Sequence, residues 1–196
     1  MKKIPIFSAA LLLAACSNND TADTNANTTG VDTATEITSA ASGGPIAENA
    51  GTANLPTNAA GYIAMAGAGD LWEIESSKAF MAKSNNADLK KFAQMMIDQH
   101  TQSTAKINAA AKTANLTLPA PKLDAEQQRM LDEIKNAEAA DVDAIYVRHQ
   151  ATAHRKALAL HQGYAANGDN DALKKAAGEI APVVEKHIAE LGRING

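Results

Sequence analysis

The feature that most restricts the fold is a repeat of small and apolar residues that runs from about residue 58 almost to the end of the chain. Within it, such residues recur at intervals of three and four, which is the spacing of one face of an α-helix. The repeat therefore predicts four long helices and one short helix. The long helices are expected over 58–83, 87–114, 141–166 and 170–192, and the short one over 123–137.

Residues that end helices separate these segments. Ser84-Asn85-Asn86 and Asn167-Gly168-Asp169 supply turns with capping side chains, and Pro119 and Pro121 mark a loop. Patterns typical of β-strands are nearly absent. Long helices joined by short connections pack side by side in alternating directions. The sequence therefore predicts an all-α fold, an antiparallel four-helix bundle with a short extra helix between the second and third long helices. We expect the apolar side of that short helix to cover one end of the bundle.

Each long helix carries one ionisable residue where an apolar one is expected: Glu73, His100, His154 and His187. For His154 the placement is less clear, because its helix has no clean apolar face. At a rise of about 1.5 Å per residue, Glu73 and His100 lie at similar distances from the turn that joins their helices. His154 and His187 do the same from theirs. We therefore expect two level pairs in the core.

Three imidazoles and a carboxylate are ligands that suit Zn, Fe, Cu or Mn. The sequence thus predicts a candidate metal site made of Glu73, His100, His154 and His187. Two other interpretations explain the same residues. They can form a buried hydrogen-bond network that sets the register of the helices and binds nothing, or some of them can be exposed to solvent. The sequence leaves all three interpretations open.

The histidine pattern argues against an enzyme. Di-iron sites of the ferritin type take Glu-x-x-His from two helices, and none of the five histidines has a glutamate three residues before it. We therefore predict no catalytic residue. His149 lies about 140° around the helix from His154, so we expect His149 to be exposed. His161, on the same side as His154, is expected to be a core or surface residue, or to support the site from behind.

The first sixteen residues have the parts of a bacterial export signal. Lys2 and Lys3 give a positive start, an apolar run follows, and Leu13-Ala14-Ala15-Cys16 closes it. That tetrapeptide resembles the lipobox of bacterial lipoproteins, in which a peptidase cuts just before an acylated cysteine. Because Cys16 is the only cysteine, it cannot form an internal disulfide. We expect residues 1–15 to be a signal peptide and Cys16 to carry lipid.

The segment after Cys16 is expected to be a disordered tether. Residues 17–57 are rich in Asn, Thr, Ser, Ala and Gly, and their few apolar side chains cannot offset the entropy lost on ordering. The predicted organisation is therefore a signal peptide over 1–15, an acylated cysteine and tether over 16–57, and a helical bundle over 58–196. By lipoprotein sorting rules, Ser17 points to the outer membrane, with the bundle facing the periplasm.

The net charge of the chain limits the classes of molecule that it is expected to bind. A formal net charge of -4 lacks the basic surface that nucleic acids require. We therefore expect contact with a membrane through the lipid on Cys16, and no nucleic acid. The sequence does not identify a protein partner.

Several segments resemble one bacterial family. They are Trp72-Glu73-Ile74, Lys91–Met96 running to His100, Asp143 and Tyr146 with His154, and Ala181-Pro182 with His187. Over 61–194 the chain resembles the DUF4142 family, whose members are described as predicted outer membrane proteins. The resemblance implies a ferritin-like four-helix bundle, and it implies little about activity, which is undefined for the family. Where family members have an Asp-His pair on the second helix, this chain has Gln99-His100.

The resulting functional hypothesis is a lipid-anchored envelope protein that binds a transition metal in the bundle core. The alternative is a metal-free structural or interaction module of the cell envelope.

Overall fold

The computed structural model describes residues 55–195, and this part of the chain is helical with no strand. Its helices are α1 (Ala59–Met81), α2 (Ala87–Thr113), α3 (Ala125–Asn136), α4 (Val142–Asn167) and α5 (Asp171–Asn195). The predicted all-α fold, with four long helices and a short one between the second and third, is confirmed. None of the described helices is long and apolar enough to cross a membrane. The predicted signal peptide, Cys16 and the tether as far as residue 54 lie outside the described residues.

Polar side chains at the helix starts explain where the elements begin. Asn58 Oδ1 accepts a hydrogen bond from the Gly61 N–H at 2.8 Å, and Asn86 caps α2 in the same way. At α3, Asp124 and Gln127 cap each other reciprocally. Each cap satisfies backbone N–H groups that have no partner within the helix. In the turn predicted at Ser84-Asn85-Asn86, Asn86 caps α2 and the Ser84 hydroxyl accepts a hydrogen bond from the Asn86 N–H at 3.0 Å.

The four long helices form a ring in the order α1, α2, α5, α4, and neighbours in the ring are antiparallel. Side-chain hydrogen bonds link each neighbouring pair: Asp70–His100, Gln99–His187, His154–His187 and Tyr62–His161. Because α2 and α4 point in the same direction, the connection between them must run the length of the bundle. That connection contains α3.

The short helix α3 lies along the seam between α1 and α4, so the prediction that it covers one end of the bundle was wrong. Glu126 contacts Lys156, and Glu133 contacts His149, which places α3 beside α4 and antiparallel to it. Its apolar side is buried. The connection between α2 and α4 has to pass from one end of the bundle to the other. Because α3 lies within that connection, it covers a side of the bundle and not an end.

A polar layer divides the apolar core into two clusters. The cluster near the start of α1 includes Tyr62, Ile107, Leu160, Tyr164, Leu173 and Ile180. The cluster near its end includes Trp72, Phe80, Phe92, Met96, Ile134 and Tyr146. Buried ionisable residues lie between them: Asp70, Glu73, His100, His154 and His187. Since burying ionisable groups is costly, a whole layer of them marks the candidate site.

Candidate metal centre

The structure brings the four predicted residues together in the polar layer. Glu73, His100, His154 and His187 are each at most 4% exposed. The centroids of the three imidazole rings are 5.2 to 5.8 Å apart. One nitrogen from each ring lies within 4.8 Å of the other two. Because all four residues are buried, the interpretation that some of them are exposed to solvent is excluded. The metal site and the hydrogen-bond network are the two interpretations that remain.

The outer hydrogen bond of His100 fixes which nitrogen carries its proton. His100 Nδ1 lies 2.8 Å from Asp70 Oδ1, and the other oxygen of Asp70 accepts from the Thr104 hydroxyl at 3.0 Å. A carboxylate only accepts, so Nδ1 of His100 donates. Burial lowers the pKa of His100, but the hydrogen bond to Asp70 and the nearby Glu73 outweigh it and raise that pKa above its usual value. When the ring is neutral, Nε2 has a free lone pair. This Nε2 is buried and has no hydrogen-bond partner among residues 55–195.

A backbone carbonyl fixes the proton of His154 on Nδ1, as Asp70 does for His100. Its Nδ1 donates to the Gln150 carbonyl oxygen at 2.9 Å, and a carbonyl cannot donate in return. In the neutral ring, the lone pair therefore lies on Nε2. Burial, together with the neighbouring His100 and His187, lowers the pKa of His154 to about 3, so the ring is neutral at physiological pH.

His187 completes the set from α5. Its Nε2 donates to Gln99 Oε1 at 2.7 Å, which leaves the lone pair on Nδ1. Burial and the nearby His100 lower the pKa of His187 to about 3. His187 Nδ1 faces His154 Nε2 at 3.2 Å. With these tautomers no proton lies between the two nitrogens, and a cation bound by both would offset the repulsion of their lone pairs.

Glu73 lies beside this cluster, next to the outer nitrogen of His154. Its Oε1 is 3.4 Å from His154 Nδ1. Both carboxylate oxygens are buried without a hydrogen-bond partner in the described part of the chain. Burial raises the pKa of Glu73 to about 7, against the lowering effect of His100. A buried carboxylate without donors is costly, and a bound cation would satisfy it.

The three histidine nitrogens fit three positions of a tetrahedral transition-metal site once they draw closer, whereas the Glu73 carboxylate is not among the ligand atoms that lie within 4.8 Å of one another. Nitrogen ligands at about 2.0–2.1 Å from a tetrahedral metal lie about 3.3 Å from each other. The 3.2 Å between His154 Nε2 and His187 Nδ1 already matches this spacing. Three imidazoles and a carboxylate suit Zn, Fe, Cu or Mn, whereas Ca and Mg prefer oxygen ligands throughout.

The residues that orient the histidines were missed from the sequence. The sequence does contain a feature that could have identified Asp70. It is the only charged residue over 59–72, and it lies three positions before Glu73, on the same side of the helix. Gln99 and the Gln150 carbonyl had none, since any helix position offers such groups. They become identifiable only once the ring nitrogens are placed.

The two remaining histidines lie outside the cluster. His149 was expected to be exposed, and this was wrong: it is 8% exposed, because α3 covers that side of α4 and Glu133 contacts its ring at 2.8 Å. His161 is a core residue whose Nδ1 lies 3.0 Å from the Tyr62 hydroxyl. Burial lowers the pKa of His161 to about 4.

The fold and the polar layer define a helical-bundle protein with a buried cluster of three histidines and a glutamate. The chain belongs to the family described as Domain of unknown function (DUF4142), whose model matches residues 44–194. The family predicted from the resemblance is therefore confirmed. No curated protein and no solved structure matches the chain.

Proposed function

We propose that this protein binds a transition metal ion in the cell envelope, with His100, His154 and His187 as nitrogen ligands and Glu73 as the fourth ligand. The observation that carries the proposal is the convergence of three buried imidazoles, each with its outer nitrogen held by a hydrogen bond. Metal-binding histidines use their second nitrogen in this way, often on a carboxylate as His100 does on Asp70.

The same geometry favours holding a metal over catalysis. With Glu73 bound as the fourth ligand, four protein ligands would fill a tetrahedral shell, as in structural zinc sites, which leave no position for a substrate. The pattern of two Glu-x-x-His pairs used by di-iron enzymes is absent from the sequence. We therefore propose binding, storage or buffering of the ion as the activity.

The direct test is elemental analysis of the full chain, purified in detergent without a polyhistidine tag. We expect one equivalent of a transition metal per chain after loading with Zn²⁺, Fe²⁺, Cu²⁺ or Mn²⁺ and removal of excess. His100→Ala and His187→Ala should each abolish binding, because each removes one nitrogen of the shell. Only trace metal in the wild type after loading would refute the proposal.

Two further variants sharpen this test. His149→Ala is the matched control, since His149 is also a buried histidine of the bundle but lies outside the cluster, and it should keep the metal. Asp70→Asn keeps the shape of the side chain and weakens its hold on His100, so affinity should fall by roughly 10–100-fold. Loss of metal in His149→Ala would contradict the ligand assignment.

A second candidate is a metal-free structural or interaction module. The 3.2 Å between His154 Nε2 and His187 Nδ1 is also a hydrogen-bond distance. If the Gln99 amide is turned over, its nitrogen donates to His187 Nε2, and His187 Nδ1 then donates to His154. In that case His187→Ala lowers the stability of the fold, and the wild-type chain takes up no metal.

The envelope location rests on Cys16, and we propose that its lipid holds the bundle at the outer membrane on a flexible tether. Several acyl chains together hold firmly, since each buried methylene contributes about 0.8 kcal/mol. Cys16→Ser should move the protein from the membrane fraction to the soluble fraction. Mass spectrometry of the N-terminal peptide checks the acylation directly. Membrane retention of Cys16→Ser would reject the anchor.

A further inference from the structure

A groove of about 540 Å³ follows the seam between α1 and α4, beneath the start of α3. Small and apolar residues, among them Gly69, Ala153 and Leu160, share its walls with charged ones, which include Lys122, Asp124, Glu126 and Lys156. The groove also touches Glu73, His100 and Asp70. It therefore lies directly against the side of the proposed metal centre.

On this side of the centre, a cavity reaches two of the proposed ligands. On the opposite seam, between α2 and α5, Gln99 is bonded to His187 and blocks the approach. A second cavity, of about 570 Å³, is lined by residues around 108–118 and touches none of the cluster. On the α1–α4 seam, by contrast, a Cβ added to Gly69 would meet no atom within 4 Å.

Small residues explain why the groove is open. Gly69 on α1 and Ala153 and Ala157 on α4 leave space where longer side chains would interlock. A glycine within a helix costs roughly 1 kcal/mol relative to alanine, and no turn or close contact requires one at position 69. The unfilled space is thus maintained at some cost in stability.

We infer that the groove is the route by which a hydrated divalent cation enters and leaves the metal centre, an inference that rests on the proposed function. Glu73 and His100 are the two proposed ligands that border the groove. Their ligand atoms are buried, so a small displacement of the seam must admit the ion. Glu73 then supplies the first charged ligand, and the histidines replace the remaining water.

The test is to fill the groove and measure rates with Zn²⁺ as the probe. Gly69→Leu in the full chain should slow both Zn²⁺ uptake and Zn²⁺ removal by a chelator, each by about tenfold. The dissociation constant should stay unchanged, because the new side chain touches the route and not the bound ion. Gly192→Leu is the matched control, since Gly192 is also helical with open space around it, and its rates should equal the wild type.

Ala153→Leu provides a second variant from the facing helix, in case Gly69→Leu does not fold, and it should give the same paired slowing. Unchanged rates in folded Gly69→Leu and Ala153→Leu, with Zn²⁺ still bound, would overturn the route alone. A changed dissociation constant with unchanged uptake would also overturn it. A wild-type chain that takes up no Zn²⁺ would overturn the proposed function, and the route with it.

Discussion

Loading the bundle with Zn²⁺ should raise its free energy of unfolding by about 4 kcal/mol when free metal is about a thousand times the dissociation constant. The physical reason is linkage: the folded state holds His100, His154 and His187 in one place, and the unfolded chain does not. For a domain of this size the midpoint of thermal unfolding should rise by roughly 8–16 °C. Thermal unfolding followed by circular dichroism, with and without chelator, measures the shift.

The His187→Ala variant separates this effect from metal bound elsewhere. It removes one nitrogen of the cluster and keeps all other described histidines, so its unfolding midpoint should not respond to Zn²⁺. The shift in the wild type should also grow with the logarithm of free metal. An equal shift in His187→Ala would show that the stabilising ion binds at another place on the chain.

The sequence was enough to predict the fold, because each level of evidence agreed. Apolar spacing was enough to predict the long helices, and Asn86 marked the start of the second one. The heptad position of Glu73 and His100 was enough to place both in the core. A residue's position on a helix face is a local property, so it can be read without knowing what packs against it.

The structural features that could not be predicted from the sequence depend on contacts between distant parts of the chain. His149 is buried because α3 lies on that side of α4, and no local pattern places α3 there. The Gln99 amide matters only because His187, on another helix, approaches it at 2.7 Å. The groove beside Gly69 is likewise a property of two helices together. From the sequence, the position of a site residue along the bundle axis could be compared only with that of the site residue on the helix joined to its own by a short turn.

Replacing Glu73 by glutamine should stabilise the metal-free protein, and the gain should depend on pH. Burial raises the pKa of Glu73 from its usual 4.5 to about 7. Below pH 4.5 the carboxyl is protonated in both states and contributes no difference. Between pH 4.5 and 7 the folded state binds more protons than the unfolded state, so wild-type stability falls as pH rises. Glutamine does not titrate, and Glu73→Gln should therefore gain about 3 kcal/mol on the wild type across this window.

Glu75→Gln is the matched control, because Glu75 is on the same helix with its side chain 40% exposed and bonded to Lys78; this variant should lack the gain expected of Glu73→Gln. With Zn²⁺ bound, the order should reverse for Glu73→Gln, since the amide replaces a charged ligand and the metal then stabilises the variant less than the wild type. Urea unfolding at pH 4.5, 6 and 8, with and without Zn²⁺, measures both effects. In a binding site, the buried carboxylate destabilises the metal-free bundle and stabilises the metal-bound one. In a purely structural network, Glu73→Gln would lower the stability of the fold under both conditions.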